Sequence, residues 1–168
     1  MTRKQLLAPW RIDFIKSKKP LGCFICEKAD CTSHELKVKN HVVAYGKHCF
    51  ILLNDYPYNA GHLMISPLRH ISDLEGLTFD ERVELMEMTI RAKAILTDTM
   101  NPEGFNIGLN LGSAAGAGHK IHIHQHVVPR WDGDANFMTT VGEVRVLPEA
   151  LEATTQHLID AYRVRYEC

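Results

Sequence analysis

The sequence predicts an α+β domain: an antiparallel sheet with one long helix packed on it, plus a C-terminal helix. Three observations predict it. Short strand-like runs come first, a single long amphipathic run follows, and strand-like runs return after it. The runs are separated by short, turn-rich stretches, the spacing of antiparallel neighbours. Apolar residues make up 45% of the 168 residues, enough to fill a core between a sheet and helices.

The elements follow in order. Residues 1–19 form an N-terminal extension, within which residues 9–17, with Pro9 at the start, read as one or two helical turns. Residues 18–40 are rich in Lys, Cys and Gly and read as irregular structure, the kind held in shape by a metal or by close packing. Strand runs follow at residues 41–45, 49–54 and 62–66, the last two separated by a stretch dense in turn residues from Asn54 to Gly61. Residues 78–98 carry the clearest helix signal. Thr78 and Glu81 have capping-box spacing, and Phe79, Val83, Met86, Ile90 and Ala94 recur at steps of three and four as one apolar stripe, serving core or interface. Pro102 and Gly104 end it. A strand over 104–111, a Gly/Ala loop over 112–118 and a strand over 121–128, ended by Pro129, complete the sheet. A last helix starts at Pro148 and carries Leu151, Thr154, Leu158 and Tyr162 along one side. The chain therefore divides into the extension (1–19), the main domain (20–145) and the C-terminal helix (146–168), with no internal repeat.

Nineteen Lys and Arg against twenty Asp and Glu leave a net charge of -1, so no global pull toward nucleic acid or a membrane surface is expected. The longest apolar runs, such as Phe50 to Leu53, are far too short to span a bilayer, and the first twenty residues lack the apolar stretch of a secretion signal. Five cysteines, an odd number, argue against a disulfide framework and for reduced thiols in a cytoplasmic protein.

Four of the ten histidines (His119, His122, His124 and His126) crowd into one short stretch. On a strand, side chains alternate between faces. Ile121, Ile123, Gln125 and Val127 then share one face, and His122, His124 and His126 share the other, at roughly 7 Å spacing. Three imidazoles in register suit two chemistries: metal ligation, or nucleophilic attack on phosphorus with neighbours holding phosphate oxygens. The loop before them, with Gly112, Gly116 and Gly118, lets backbone amides approach an anion, and Arg130 lies just beyond. That combination favours phosphate chemistry. Separately, Cys23-x-x-Cys26 has zinc-knuckle spacing, although such a pair also serves redox chemistry. Two further ligands are needed for a metal: Cys31 and His34 are near in sequence, His70 and His122 distant.

His122-x-His124-x-His126-Val127-Val128 resembles the signature of the histidine-triad (HIT) family of nucleotide hydrolases and transferases. Phe50 to Asn54, Asn59 to Pro67 and Leu68-Arg69-His70 are similar to the family's upstream blocks. Residues 128–137 resemble its bacterial branch of diadenosine-tetraphosphate hydrolases and phosphorylases. The resemblance covers most of residues 20–165. It implies a HIT-like fold and cleavage of a dinucleoside polyphosphate at the α-phosphate, with the triad His122, His124 and His126 as the catalytic set. His124 would be the nucleophile, forming a nucleotidyl intermediate resolved by water or phosphate, and His126 would contact phosphate oxygens or the leaving group. Backbone amides of Gly116, Ala117 and Gly118 would stabilise phosphoryl charge. Asn54 would reach the ribose, His62 and Asn110 would line the nucleotide pocket, and Phe50 and Leu52 would flank the base. One structural zinc per chain would be held by Cys23, Cys26, His70 and His122, so that His122 steadies the segment carrying His124. A homodimer is implied as well. An adenylyl phosphoramidase or a non-catalytic nucleotide-binding regulator are the alternatives. Two positions depart from the pattern: Gln125 fills a slot apolar in many relatives, and Gly118 stands where many carry a polar side chain. The latter leaves phosphate contact to backbone amides, His119 or Lys120.

Overall fold

The computed structural model describes residues 22–31, 33–134 and 149–167. The helical turns expected at 9–17, the helix start at Pro148 and the block at 135–137 lie outside the described residues. Two short helices, α1 (Phe24–Lys28) and α2 (His34–Lys39), precede three strands, β1 (Val42–Tyr45), β2 (Cys49–Leu53) and β3 (Leu63–Pro67). A 3-10 turn at Leu74–Gly76 leads into the long helix α3 (Phe79–Met100), followed by β4 (Gly104–Leu109), β5 (Gln125–Arg130) and helix α4 (Leu151–Tyr166). The strands pair antiparallel throughout, in the order β1-β2-β3-β5-β4. This is the α+β architecture the sequence predicts. Among the described residues, no helix is long and apolar enough to cross a membrane.

Strand β2 shows why the sheet has two covered faces. All five of its residues are buried, and they alternate. Cys49, Ile51 and Leu53 enter a core with Leu85, Met88, Ala92, Ile95 and Leu96 of α3 and Leu158 and Tyr162 of α4. Phe50 and Leu52 enter a second cluster on the opposite face, with Ile25, Cys31, Val42 and Met64. The α1 region is thereby packed against the sheet by apolar contact as well as by any metal.

Helix α3 has the expected capping box, Thr78 with Glu81, and closes on Asn101 in the left-handed region (φ 46°). Its expected apolar stripe, however, is on the wrong side. Phe79, Val83, Met86 and Ile90 are 71, 52, 57 and 56% exposed, whereas Glu81, Leu85, Met88, Thr89, Ala92, Ile95 and Leu96 face inward. Two polar residues disguise the true inner stripe. Each has a partner waiting: Glu81 pairs with Arg69 at 2.8 Å, and Thr89 Oγ1 accepts from Gln125 Nε2 at 2.7 Å. A buried polar side chain so matched costs little.

The histidine strand also starts later than expected, at Gln125. The β3 and β4 ladders both stop there, at Ile65 and Leu109. Upstream, Ile123 N donates to the Ile71 carbonyl (2.7 Å), and Ser66 Oγ donates to the Ile123 carbonyl (2.8 Å). The backbone of 122–124 is thus held by single hydrogen bonds rather than by a ladder. Pro129 does not end β5, because the β3 ladder stops at Val127 and no partner on that side needs its missing N–H.

Candidate active site

The histidines lie on the sheet face opposite α3. Val127 enters the α3-side core and Gln125 reaches Thr89, so the intervening His126 faces away from the helix. The His124 and His126 rings meet edge to face with centroids 5.0 Å apart, closer than strand rise alone predicts. His124 is 9% exposed, and its Nδ1 lies 2.9 Å from the His122 carbonyl. A carbonyl only accepts, so Nδ1 carries the ring proton and Nε2 carries the lone pair. Burial holds the His124 pKa below the usual histidine range, against the opposing pull of that hydrogen bond.

His126 is set by a chain of contacts from the β2–β3 loop. The Tyr58 amide donates to His62 Nδ1 at 3.0 Å, which leaves the His62 proton on Nε2. That nitrogen is 2.9 Å from His126 Nδ1. His126 Nδ1 therefore accepts, and in the neutral ring the proton sits on Nε2; Asn110 Nδ2, 3.3 Å from that nitrogen, is itself a donor, so Asn110 pairs with this proton only when its amide is turned to present Oδ1. His62 is fully buried and Tyr58 stacks on it at 4.7 Å. The sequence reading placed His62 and Asn110 at this site as pocket residues and missed Tyr58. The only signal for Tyr58 was an aromatic side chain in a turn four residues ahead of a histidine.

The remaining expected site residues fall in several places. Asn54 is half-buried beside His62: its Oδ1 accepts from the Tyr56 amide at 2.9 Å and its Nδ2 is 3.3 Å from His62 Nδ1. Phe50 and Leu52, expected to flank a base, have no exposed surface because the α1 region covers them. In the glycine loop, Gly116 N donates to the Ser113 carbonyl and Ala117 N to the Gly112 carbonyl, so two of the three amides assigned to phosphate are engaged in the loop's own turn. Gly112 and Gly116 take positive φ, 75° and 82°, to make that turn. Arg130 is bound to Asp134 at 2.6 Å and Asn106 at 2.7 Å.

Beside the triad, Cys23, Cys26, His70 and His122 converge, with one ligand atom from each lying within 4.8 Å of the others. His122 Nε2 donates to the Pro67 carbonyl at 2.9 Å. Its Nδ1 lone pair is therefore turned to the two sulfurs, at 3.3 Å from Cys23 and 3.4 Å from Cys26. His70 Nδ1 is 3.1 Å from Cys26 Sγ. Burial, and after it the adjacent Cys23, push the Cys26 thiol up to about 11. Two thiols and two imidazoles, with the His122 lone pair turned inward, form a donor set suited to a metal ion. Cys31 and His34 are elsewhere: Cys31 is buried in the second cluster, and His34 binds Gln156 at 2.8 Å. His119 Nε2 lies 3.1 Å from Cys23 Sγ.

The described chain is a five-stranded antiparallel sheet with one face under a long helix and three histidines on the other, an α+β fold of the histidine-triad type. Residues 35–133 match the HIT domain model, and the chain belongs to the HIT family. It is 50% identical over 117 residues to the AP-4-A phosphorylase of Mycobacterium tuberculosis, covering 70% of this chain and 60% of that protein. The chain thus spans about 60% of the length of this curated relative. A Zn-bound histidine triad family protein from Mycobacterium smegmatis has the same fold (TM-score 0.66, 23% identity, 88% of this chain and 97% of that chain). So does a hypothetical histidine triad nucleotide-binding protein from Sulfolobus tokodaii (TM-score 0.64, 20% identity, 84% and 93%).

Proposed function

We propose that the protein cleaves dinucleoside polyphosphates of the diadenosine tetraphosphate type at the α-phosphorus, through a nucleotidyl intermediate on His124. The observation that carries the proposal is the hydrogen bond from His124 Nδ1 to the His122 carbonyl, which leaves a neutral ring with its lone pair on Nε2. In the first step Nε2 bonds to phosphorus while the bond to the bridging oxygen breaks, and the remaining polyphosphate leaves on that oxygen. His126, with its Nε2 proton, steadies the phosphate oxygens or the leaving group. In the second step an oxygen of water or inorganic phosphate attacks, the N–P bond breaks and its electron pair returns to Nε2; attacking water gives up a proton to solvent. The name of the Mycobacterium tuberculosis relative supports phosphate as the acceptor. Asn54, His62 and Asn110 fit the nucleotide side of the site through their contacts with the His62–His126 pair.

Incubation with diadenosine tetraphosphate, with and without inorganic phosphate, tests this. ATP plus ADP appearing only with phosphate marks phosphorolysis; AMP plus ATP marks hydrolysis. Two ADP without phosphate, or no product, would sink attack at the α-phosphorus.

The Cys23, Cys26, His70 and His122 cluster fits one zinc ion per chain, and the Mycobacterium smegmatis protein of the same fold is Zn-bound. With four protein ligands, zinc supplies structural cross-linking and no open position for water. Thiols in such a cluster support a reducing, cytoplasmic setting.

A homodimer fits the outer surface. Phe79, Val83, Met86 and Ile90 expose an apolar stripe on α3, and edge strand β4 exposes Ile107. Among the described residues β4 has one unpaired edge, and an unpaired edge or an exposed apolar stripe is surface that a second copy can cover. Sedimentation of the wild type at dimer mass, and of Met86→Glu/Ile90→Glu at monomer mass, is the expected result. A monomeric wild type refutes it.

A further inference from the structure

The glycine loop connects the two groups of histidines. At its start the Asn110 amide lies 3.3 Å from His126 Nε2. Just past its end His119 Nε2 lies 3.1 Å from Cys23 Sγ, with the ring edge-on to Phe24 at a centroid distance of 4.7 Å. Between these ends the loop is exposed from Leu111 to Gly116 and turns on two glycines with positive φ. Such a segment has little packing of its own, so its position depends on its anchors.

His119 does not belong to the four-residue ligand group, although it touches one of the four. We propose that His119 is a positioning residue, tying the glycine loop to the metal cluster through Cys23 so that metal occupancy fixes the loop beside the triad. The chemistry is directional. A metal-bound thiolate has no proton and only accepts, so His119 must present Nε2–H to it, and the charge on sulfur strengthens the bond. In a metal-free Cys23 thiol, sulfur is a weak donor and a weak acceptor, and the tie slackens. The same N–H draws charge from the sulfur and supports its ligation, as a second partner of a metal ligand does. The loop would therefore be held in place beside the triad only when the cluster is filled.

This inference rests on the metal reading of the cluster. The test compares full-length wild type, His119→Ala and His119→Gln, each loaded with zinc. Zinc release to a colorimetric chelator and hydrogen exchange of residues 111–118, with zinc and after its removal, are the two readouts. Removing zinc from the wild type is expected to speed loop exchange. His119→Ala is expected to release zinc about 10-fold faster or more. Its loop should exchange fast with or without zinc. His119→Gln keeps an N–H donor and is expected to restore part of both effects, which a merely space-filling role would not show. Zinc bound by the wild type, with loop exchange indifferent to its removal or with His119→Ala releasing it at the wild-type rate, overturns this inference alone. A wild type that binds no zinc overturns the metal reading and this inference together.

Discussion

His122 and His124 are the same residue type two positions apart, yet they offer opposite ring nitrogens. His122 gives Nε2–H to the Pro67 carbonyl and keeps Nδ1 for the two cysteine sulfurs. His124 gives Nδ1–H to the His122 carbonyl and keeps Nε2 free of that bond. Burial lowers the pKa of both, so neither difference in charge nor difference in residue type separates them. The separation comes from which main-chain carbonyl each ring meets. One imidazole becomes a candidate ligand and the other a candidate nucleophile because the carbonyl selects the tautomer. The largest expected effect tests this division directly. His124→Ala is expected to lower turnover of diadenosine tetraphosphate by more than about 1000-fold while zinc content stays at the wild-type level. His124→Ala with wild-type turnover, or with its zinc lost, would erase the distinction between the two rings.

That distinction was only half legible in the sequence. Period-two spacing put the three histidines on one side, because side-chain alternation survives even where the ladder does not. The strand runs were legible because Phe50 to Leu53 and Leu63 to Ile65 sit in a sheet covered on both faces, where apolar runs are continuous. Tautomers were not legible, since Pro67 and His122 act through carbonyls that every residue has. The buried face of α3 is hidden in the sequence because Glu81 and Thr89 interrupt it, and their partners Arg69 and Gln125 lie on other segments. Composition presents the glycine loop as a set of open amides, but the hydrogen bonds that close its turn depend on φ values that composition does not specify.

The second prediction strikes the ligand half. Cys26→Ser removes a sulfur lying 3.4 Å from His122 Nδ1 and 3.1 Å from His70 Nδ1. Zinc content is expected to fall well below that of the wild type, and stability in denaturant to drop by about 3 kcal/mol in the presence of zinc. The loss should shrink when wild type and variant are compared in chelator, because the linkage term is then absent from both. An equal loss with and without chelator would mean that Cys26 acts by packing rather than by ligation.

A smaller effect reaches the same half through pH. Arg69 donates twice to the Glu81 carboxylate and once to the Gly76 carbonyl, bracketing the 69–76 segment that carries His70 and supplies the Ile71 carbonyl to Ile123. Arg69, and less so the Thr78 amide, hold the Glu81 carboxyl at about 2 against the contrary push of burial. The folded value lies below the ordinary 4.5, so this stabilisation is complete above pH 4.5 and is lost as pH falls toward 2. Thermal melts of wild type and Arg69→Gln are expected to differ most above pH 4.5 and to converge below it. A constant difference across that window would show that Arg69 does not act through the Glu81 charge.

The smallest effect concerns the residue between the two working histidines. Gln125 points to α3, where its Nε2 donates to Thr89 Oγ1 at 2.7 Å. Thr89 Oγ1 keeps its own donation to the Leu85 carbonyl, so Gln125→Leu leaves no Thr89 donor stranded and replaces a buried amide with apolar volume of similar size. A stability change of about 1 kcal/mol or less is expected, with turnover and zinc content unaltered. The departure from the apolar pattern is then a local exchange between sheet and helix. If Gln125→Leu instead changed turnover severalfold, the α3 face of β5 would be coupled to the histidine face, and the triad's geometry would depend on the helix as well as on the carbonyls that orient its rings.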